Sequence, residues 1–154
     1  MVTFEKNRDF VGLARLTQQA EALVSCGANA EESLWEAVRV LERLDKAFVV
    51  EAKEKEKTIG AFLLLPFEGY DYDVHVVFDQ EHRGLDAVLI SKAALKFLFS
   101  HTNIRRLVAK CPKENRQVLE YAKAVGLRFL ELQEDVVLME VTKEMVDQIE
   151  NERN

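Results

Sequence analysis

Hydrophobic positions along the chain recur with two periods, and the changes from one to the other mark its elements. A short strand is expected at VTF, residues 2–4. From Asp9, read as an N-cap, Phe10, Leu13, Ala14, Leu16, Ala20, Leu23 and Val24 fall at helical spacing, and Gly27 is the stop. A second helix is expected from about 29 to 44, burying Leu34, Trp35, Val38, Leu41 and Leu44. The period then shortens to that of strands: KAFVVEA (46–52) and TIGAFLLLPF (58–67), joined by the charged run EAKEKEK (51–57), read as a solvated hairpin tip. YDYDVHVVF (70–78) alternates, with Tyr70, Tyr72, Val74, Val76 and Phe78 on one face and Asp71, Asp73, His75 and Val77 on the other.

LDAVLISKAALKFLFSHT (85–102) reads as a long amphipathic helix through Leu89, Ala93, Leu95 or Lys96, and Phe99. IRRLVAK (104–110) is a strand that Cys111-Pro112 is expected to break. ENRQVLEYAKAVG (114–126) is a helix closed by Gly126. LRFLELQ (127–133) and DVVLMEV (135–141) form a last hairpin. The polar remainder, 142–154, is a tail or short helix, with Met145, Val146 and Ile149 on one side as a surface for a partner or a second copy. A strand, helix and strand in the second half imply one parallel pair within an α/β pattern.

Composition narrows the class. A chain of 154 residues, 48% hydrophobic and 31% charged, can bury a core as one domain, here residues 1–141. The net charge of −6, with no unbalanced Lys/Arg run, disfavours a nucleic-acid binder. No apolar run of about 18 residues is present, so no membrane partner is expected. Cys26 and Cys111 show no metal-ligand or CxxC spacing, and with no signal peptide the expected setting is reducing and cytoplasmic. Cys111, with no base near it in sequence, reads as a structural thiol.

Candidate chemistry gathers at DQEHRGLDAVLI (79–90). A strand, then Arg83-Gly84, then a helix start offers a cation and unbonded N–H groups at the positive end of a helix, which suits a phosphate. The plainer account is a tight turn whose Arg83 pairs with Asp86 or Glu81. On the preceding strand, His75 and Asp73 share a face, and either is a candidate base for an amine proton.

The element order and the residues from 75 to 129 resemble the GNAT superfamily of acyl-CoA-dependent N-acyltransferases. The features that carry it are His82-Arg83-Gly84 before the long helix, the strand IRRLVAK, Asn115 opening the next helix, and Gly126-Leu127 with Phe129 at its end, Asn115 and Gly126 standing eleven residues apart. The phrasing FSHTNIRRL followed by PKENR is most similar to members encoded in phage and prophage genomes. The resemblance implies a mixed, mostly antiparallel sheet with one central parallel strand pair, flanked by about four helices. It implies acetyl-CoA as cofactor, with Val76, Val77 and Phe78 offering backbone groups to the acyl and pantetheine parts, and Arg83 and Gly84 holding the pyrophosphate. Asn115 would hold the pantetheine arm or simply cap its helix. The partner implied is a small-molecule or peptide amine, with His75 or Asp73 taking its proton and Tyr121 or water protonating the departing thiolate.

The family's loop, R-x-x-G-x-G/A, is degenerate here, because Asp86 and Val88 stand at its small-residue positions. A carboxylate there would repel a pyrophosphate by roughly 1 to 4 kcal/mol, depending on solvent screening. Many members place a Tyr seven residues after the Asn, where this chain has Ala122; Tyr121 lies one residue earlier, about 100° around the helix. Two readings follow: an N-acetyltransferase, or a GNAT-fold protein without catalysis that works through protein contacts, such as a phage accessory or virion-associated protein.

Overall fold

The computed structural model of the chain describes residues 1–24, 38–67 and 70–153. The Gly27 stop and the start of the second expected helix, with Leu34 and Trp35, lie outside them, as do the side chains of Ala20, Leu23 and Val24. The elements are β1 (Val2–Asn7), α1 (Val11–Val24), β2 (Phe48–Glu54), β3 (Lys57–Phe67), β4 (Tyr70–Phe78), a one-turn 3-10 helix (Gln80–His82), α2 (Leu85–His101), β5 (Arg106–Pro112), α3 (Arg116–Val125), β6 (Arg128–Gln133), β7 (Val136–Thr142) and α4 (Lys143–Arg153). Residues 38–43 are also helical. The strands form one seven-stranded sheet in the order β1-β2-β3-β4-β5-β7-β6. β4 and β5 run parallel, with Tyr72 opposite Leu107 and Asp73 opposite Val108, because α2 returns the chain by a crossover. This is the mixed sheet the sequence implies. The fold divides into two units, residues 1–65 with 75–87 and residues 66–74 with 88–154.

In the first unit the apolar stripe of α1 falls where its spacing predicts. Phe10, Ala14 and Leu16 are buried with Val38, Ala47, Val49 and Ala61, and Leu13, Leu41, Leu63, Leu65 and Val77 pack around them. Asp9 does cap α1, its Oδ1 accepting the Val11 N–H at 3.0 Å. Leu44 departs from expectation at 42% exposed; it lies past the helical residues, and its carbonyl accepts from Arg8 Nη2 at 2.9 Å. The charged run is also tighter than a solvated tip. Only Lys55 and Glu56 turn, both with left-handed φ of 51° and 69°, the two-residue geometry whose twist suits a hairpin. Glu51 is buried: its Oε2 accepts from Thr58 Oγ1 at 2.9 Å and its Oε1 from Asn7 Nδ2 at 3.4 Å.

In the second unit α3 is bounded as its sequence requires. The Asn115 Oδ1 accepts the Val118 N–H at 3.2 Å, and Gly126 closes the helix with φ of 117°. Cys111, Ala122 and Met139 form a buried cluster that Ala109, Val118, Leu119, Leu127 and Val137 surround. Cys111-Pro112 does not break β5. The strand runs through both, with Pro112 opposite Val136, since a proline at a strand end forfeits little of the ladder. In this unit α2 buries Ile90, Ser91, Ala94, Leu95, Leu98 and Phe99. Ala93 is exposed and Leu89 is 56% exposed, so the sequence reading set the stripe partly one step around the helix. The tail is helical as α4, and Thr142 Oγ1 accepts the Met145 N–H at 3.2 Å at its start.

One glycine fixes the end of β4. A Cβ on Gly60 would lie 2.7 Å from Phe78 Cε1, and the Phe78 ring is held edge-on against Phe62 with centroids 5.7 Å apart. Gly60→Ala is therefore expected to destabilise the protein by about 1–3 kcal/mol through overpacking, read as a lower urea midpoint at unchanged slope.

Candidate functional site

The turn that follows β4 is built on Asp79. Its N–H donates to the Ile59 carbonyl at 2.9 Å, its Oδ1 accepts the His82 N–H at 3.1 Å, and the His82 Nδ1 stands 2.6 Å from the same oxygen. A carboxylate only accepts, so the pair places the imidazole N–H toward Asp79. Asp79 is 6% exposed, and its Oδ2 is buried without a hydrogen bond among the described residues; Lys57 Nζ is 4.0 Å away. Sequence reasoning passed over Asp79 and Lys57, and gave His82 no role in the turn. The signal available was an acid three residues before a turn histidine, the spacing of a cap.

Arg83 is exposed and pairs with neither Asp86 nor Glu81 among the described residues. Its Nη2 donates to the Phe78 carbonyl at 3.5 Å. Gly84 has φ of 82°, with open space around a would-be Cβ, so backbone conformation rather than crowding calls for glycine. α2 then begins at Leu85, and its first N–H groups have no intrahelical acceptors. The turn thus presents Arg83, a bare Gly84 and a helix start. Asp86 is exposed in that first turn, where water and salt screen its charge. Its opposition to a bound phosphate falls to the low end of the range, about 1 kcal/mol.

Along β4 the candidates separate by burial. The Phe78 ring is core, Val77 packs into the first unit's cluster, and Val76 is 38% exposed. His75 is exposed. The parallel ladder with β5 holds Tyr72 and Asp73, and β4 continues past it to Phe78. Asp73 is 5% exposed. Its Oδ2 is 3.4 Å from Lys110 Nζ, and its Oδ1 has no hydrogen-bond partner among the described residues. Lys110 in turn lies over the Phe67 ring, 4.4 Å from the centroid. Neither Lys110 nor Phe67 could be joined to Asp73 from sequence, because the link depends on the register that sets Asp73 opposite Val108.

Tyr121 hydrogen-bonds Ser91 of α2 through its hydroxyl. Burial pushes its pKa up to about 12, with the Ser91 bond pulling the other way. A phenol so shifted is a weak acid. Ala122, at the family's Tyr position, is buried against Cys111 and Met139. Burial also raises the Cys111 thiol, in keeping with a structural cysteine. The Asn115 side-chain oxygen is engaged as a cap.

No family model matches the sequence. No curated protein matches it either. Solved structures do match the fold. A Vibrio cholerae spermidine N-acetyltransferase SpeG variant superposes with a TM-score of 0.70 at 16% identity, over 94% of this chain and 95% of that one. The Campylobacter jejuni N-acetyltransferase PseH in complex with acetyl coenzyme A gives 0.69 at 10% identity, over 93% and 99%. A GNAT-family acetyltransferase from Bacillus anthracis gives 0.65 at 18%, over 93% and 95%.

Tyr121 supplies a test through pH. Its folded pKa lies above the unfolded value near 10, so its contribution is fully present below pH 10 and is lost as pH rises through about 12. That difference corresponds to at most about 3 kcal/mol. Tyr121→Phe is expected to remove that part of the alkaline loss of stability, measured by urea unfolding between pH 9 and pH 12. At these identities the structural likeness establishes the fold, and the chain folds as the GNAT acetyltransferases do.

Proposed function

We propose that this protein is an N-acyltransferase that moves acetyl from acetyl-CoA to an amine by direct attack. The observation that carries the reading is the run of β4 past its ladder with β5, ending in the Arg83-Gly84 turn and the start of α2. Backbone N–H groups near Val76 to Phe78 are suited to polarise the thioester carbonyl, and Arg83, Gly84 and the helix start to hold the pyrophosphate. The amine nitrogen attacks the carbonyl carbon, the C–S bond breaks, and acetyl remains on nitrogen. His75, exposed on β4, takes the amine proton. The thiolate takes its proton by exchange with solvent, because the Tyr121 hydroxyl is engaged with Ser91. The neighbours named as spermidine N-acetyltransferase support a small-molecule amine as the acceptor class.

A second reading is favoured by the acidic groups at the turn. Asp79 is buried there, its Oδ2 reached only by Lys57 Nζ at 4.0 Å among the described residues, Asp86 occupies the first turn of α2, and Val88 and Ala122 replace two further family residues. In that reading the fold has lost its cofactor and works through protein contacts, as a phage accessory protein would.

Calorimetry separates the two. The acyltransferase reading expects the unaltered protein to bind acetyl-CoA, and Asp86→Gly to bind it about five-fold more tightly, the equivalent of about 1 kcal/mol. His75→Ala should lower kcat by about a hundred-fold with the cofactor Kd unchanged. Absence of binding at millimolar acetyl-CoA would sink the proposal. Binding that appears only in the Asp86→Gly, Val88→Gly double variant would favour the second reading.

A further inference from the structure

Asp73 is an unusual residue to bury. A carboxylate taken out of water must be paired and hydrogen-bonded on both oxygens to offset its lost hydration. Here one oxygen, Oδ1, has no hydrogen-bond partner among the described residues. The other is 3.4 Å from Lys110 Nζ, longer than a good charge-assisted hydrogen bond of about 2.8 Å. Lys110 itself is only loosely committed. Its side chain is 39% exposed, and its second contact is the face of Phe67, 4.4 Å from the ring centroid, with Phe67 48% exposed. A carboxylate on one side and an aromatic face on the other is the pairing that recognises an alkylammonium ion. The resting protein holds such an ion there, on its own side chain.

We infer that Asp73 and Phe67 form a binding site for a primary alkylammonium group, which Lys110 fills until a ligand amine displaces it. An incoming R–NH3+ has three N–H donors. Freed from a stem anchored on β5, it approaches Asp73 more closely than Lys110 does and donates to both oxygens, satisfying the one now left unpaired. No bond is made or broken; one ammonium exchanges for another. The inference rests on the acyltransferase reading only for its purpose, in that the site would select a cationic alkylamine as acceptor. It assigns Asp73 to anchoring charge rather than to taking a proton, and gives Lys110 a competing role: it keeps the site occupied and sets how strongly an amine must bind to enter.

The experiment uses n-butylammonium chloride as the probe, with tetramethylammonium chloride, which has no N–H, as the control at equal ionic strength. Calorimetry on Lys110→Met, which keeps the apolar stem over Phe67 and removes the charge, is expected to give at least ten-fold tighter butylammonium binding than the unaltered protein. Adding Asp73→Asn to that variant should abolish the gain. Equal affinity in Lys110→Met and the unaltered protein, or a gain that survives Asp73→Asn, or an equal response to tetramethylammonium, overturns the inference. If Lys110→Met does not fold, Phe67→Ala replaces it; butylammonium affinity must then fall at least five-fold, and an unchanged affinity overturns the site. Acetyl-CoA binding is measured on the same samples. Failure there with the butylammonium gain intact removes the acyltransferase reading and leaves the ammonium site, whereas cofactor binding without the gain does the reverse.

Discussion

The parallel pairing of β4 with β5 is the constraint on which the remainder of the site depends. It consists of Tyr72 opposite Leu107 and Asp73 opposite Val108. Because side chains alternate along a strand, that register decides which residues of β5 share a face with Asp73, and Lys110, two residues past Val108, is brought to it. Had the register slipped by one residue, Asp73 would face Ala109 and Cys111, and a buried carboxylate would have no cation. β4 continues past that short ladder to Phe78, with β3 as its neighbour on the other side.

The end of β4 is fixed from the other direction by packing. Gly60 admits the Phe78 ring, Phe62 meets it edge-on, and the Asp79 N–H is tied to Ile59. The turn therefore starts from a set position. Asp79 then spends one oxygen on the backbone and ring of His82, which shapes the turn that presents Arg83 and Gly84. The acidic residues that make this loop look wrong for a phosphate differ in kind: Asp79 is buried and structural, while Asp86 is exposed and screened. Counting them as equal repulsions overstates the case against an anion.

Much of the fold was legible because it is local. The α1 stripe, the Asp9 and Asn115 caps and the Gly126 stop each follow from a few adjacent residues and the backbone groups they satisfy. The readings that failed needed information from a distance. Leu89 and Ala93 suit a helical stripe by type, yet α2 turns them outward, since a helix this rich in apolar residues has more than one face that could be buried. Glu51 sits in a run of alternating charge, and only the sheet reveals that Thr58 and Asn7 receive its carboxylate.

The sequence by itself determined the order of the described strands and helices, the caps at Asp9, Asn115 and Gly126, and a strand-turn-helix with Arg83-Gly84 at its bend, all properties of short stretches of chain. Tertiary structure decided what those stretches meet. It buried Tyr121 and so weakened it as an acid, and it gave Asp73 to Lys110 and Phe67. The physical reason is that hydrogen bonds and ion pairs act over a few ångströms, while the residues that make them lie thirty or more positions apart along the chain and are joined only by strand register and helix packing.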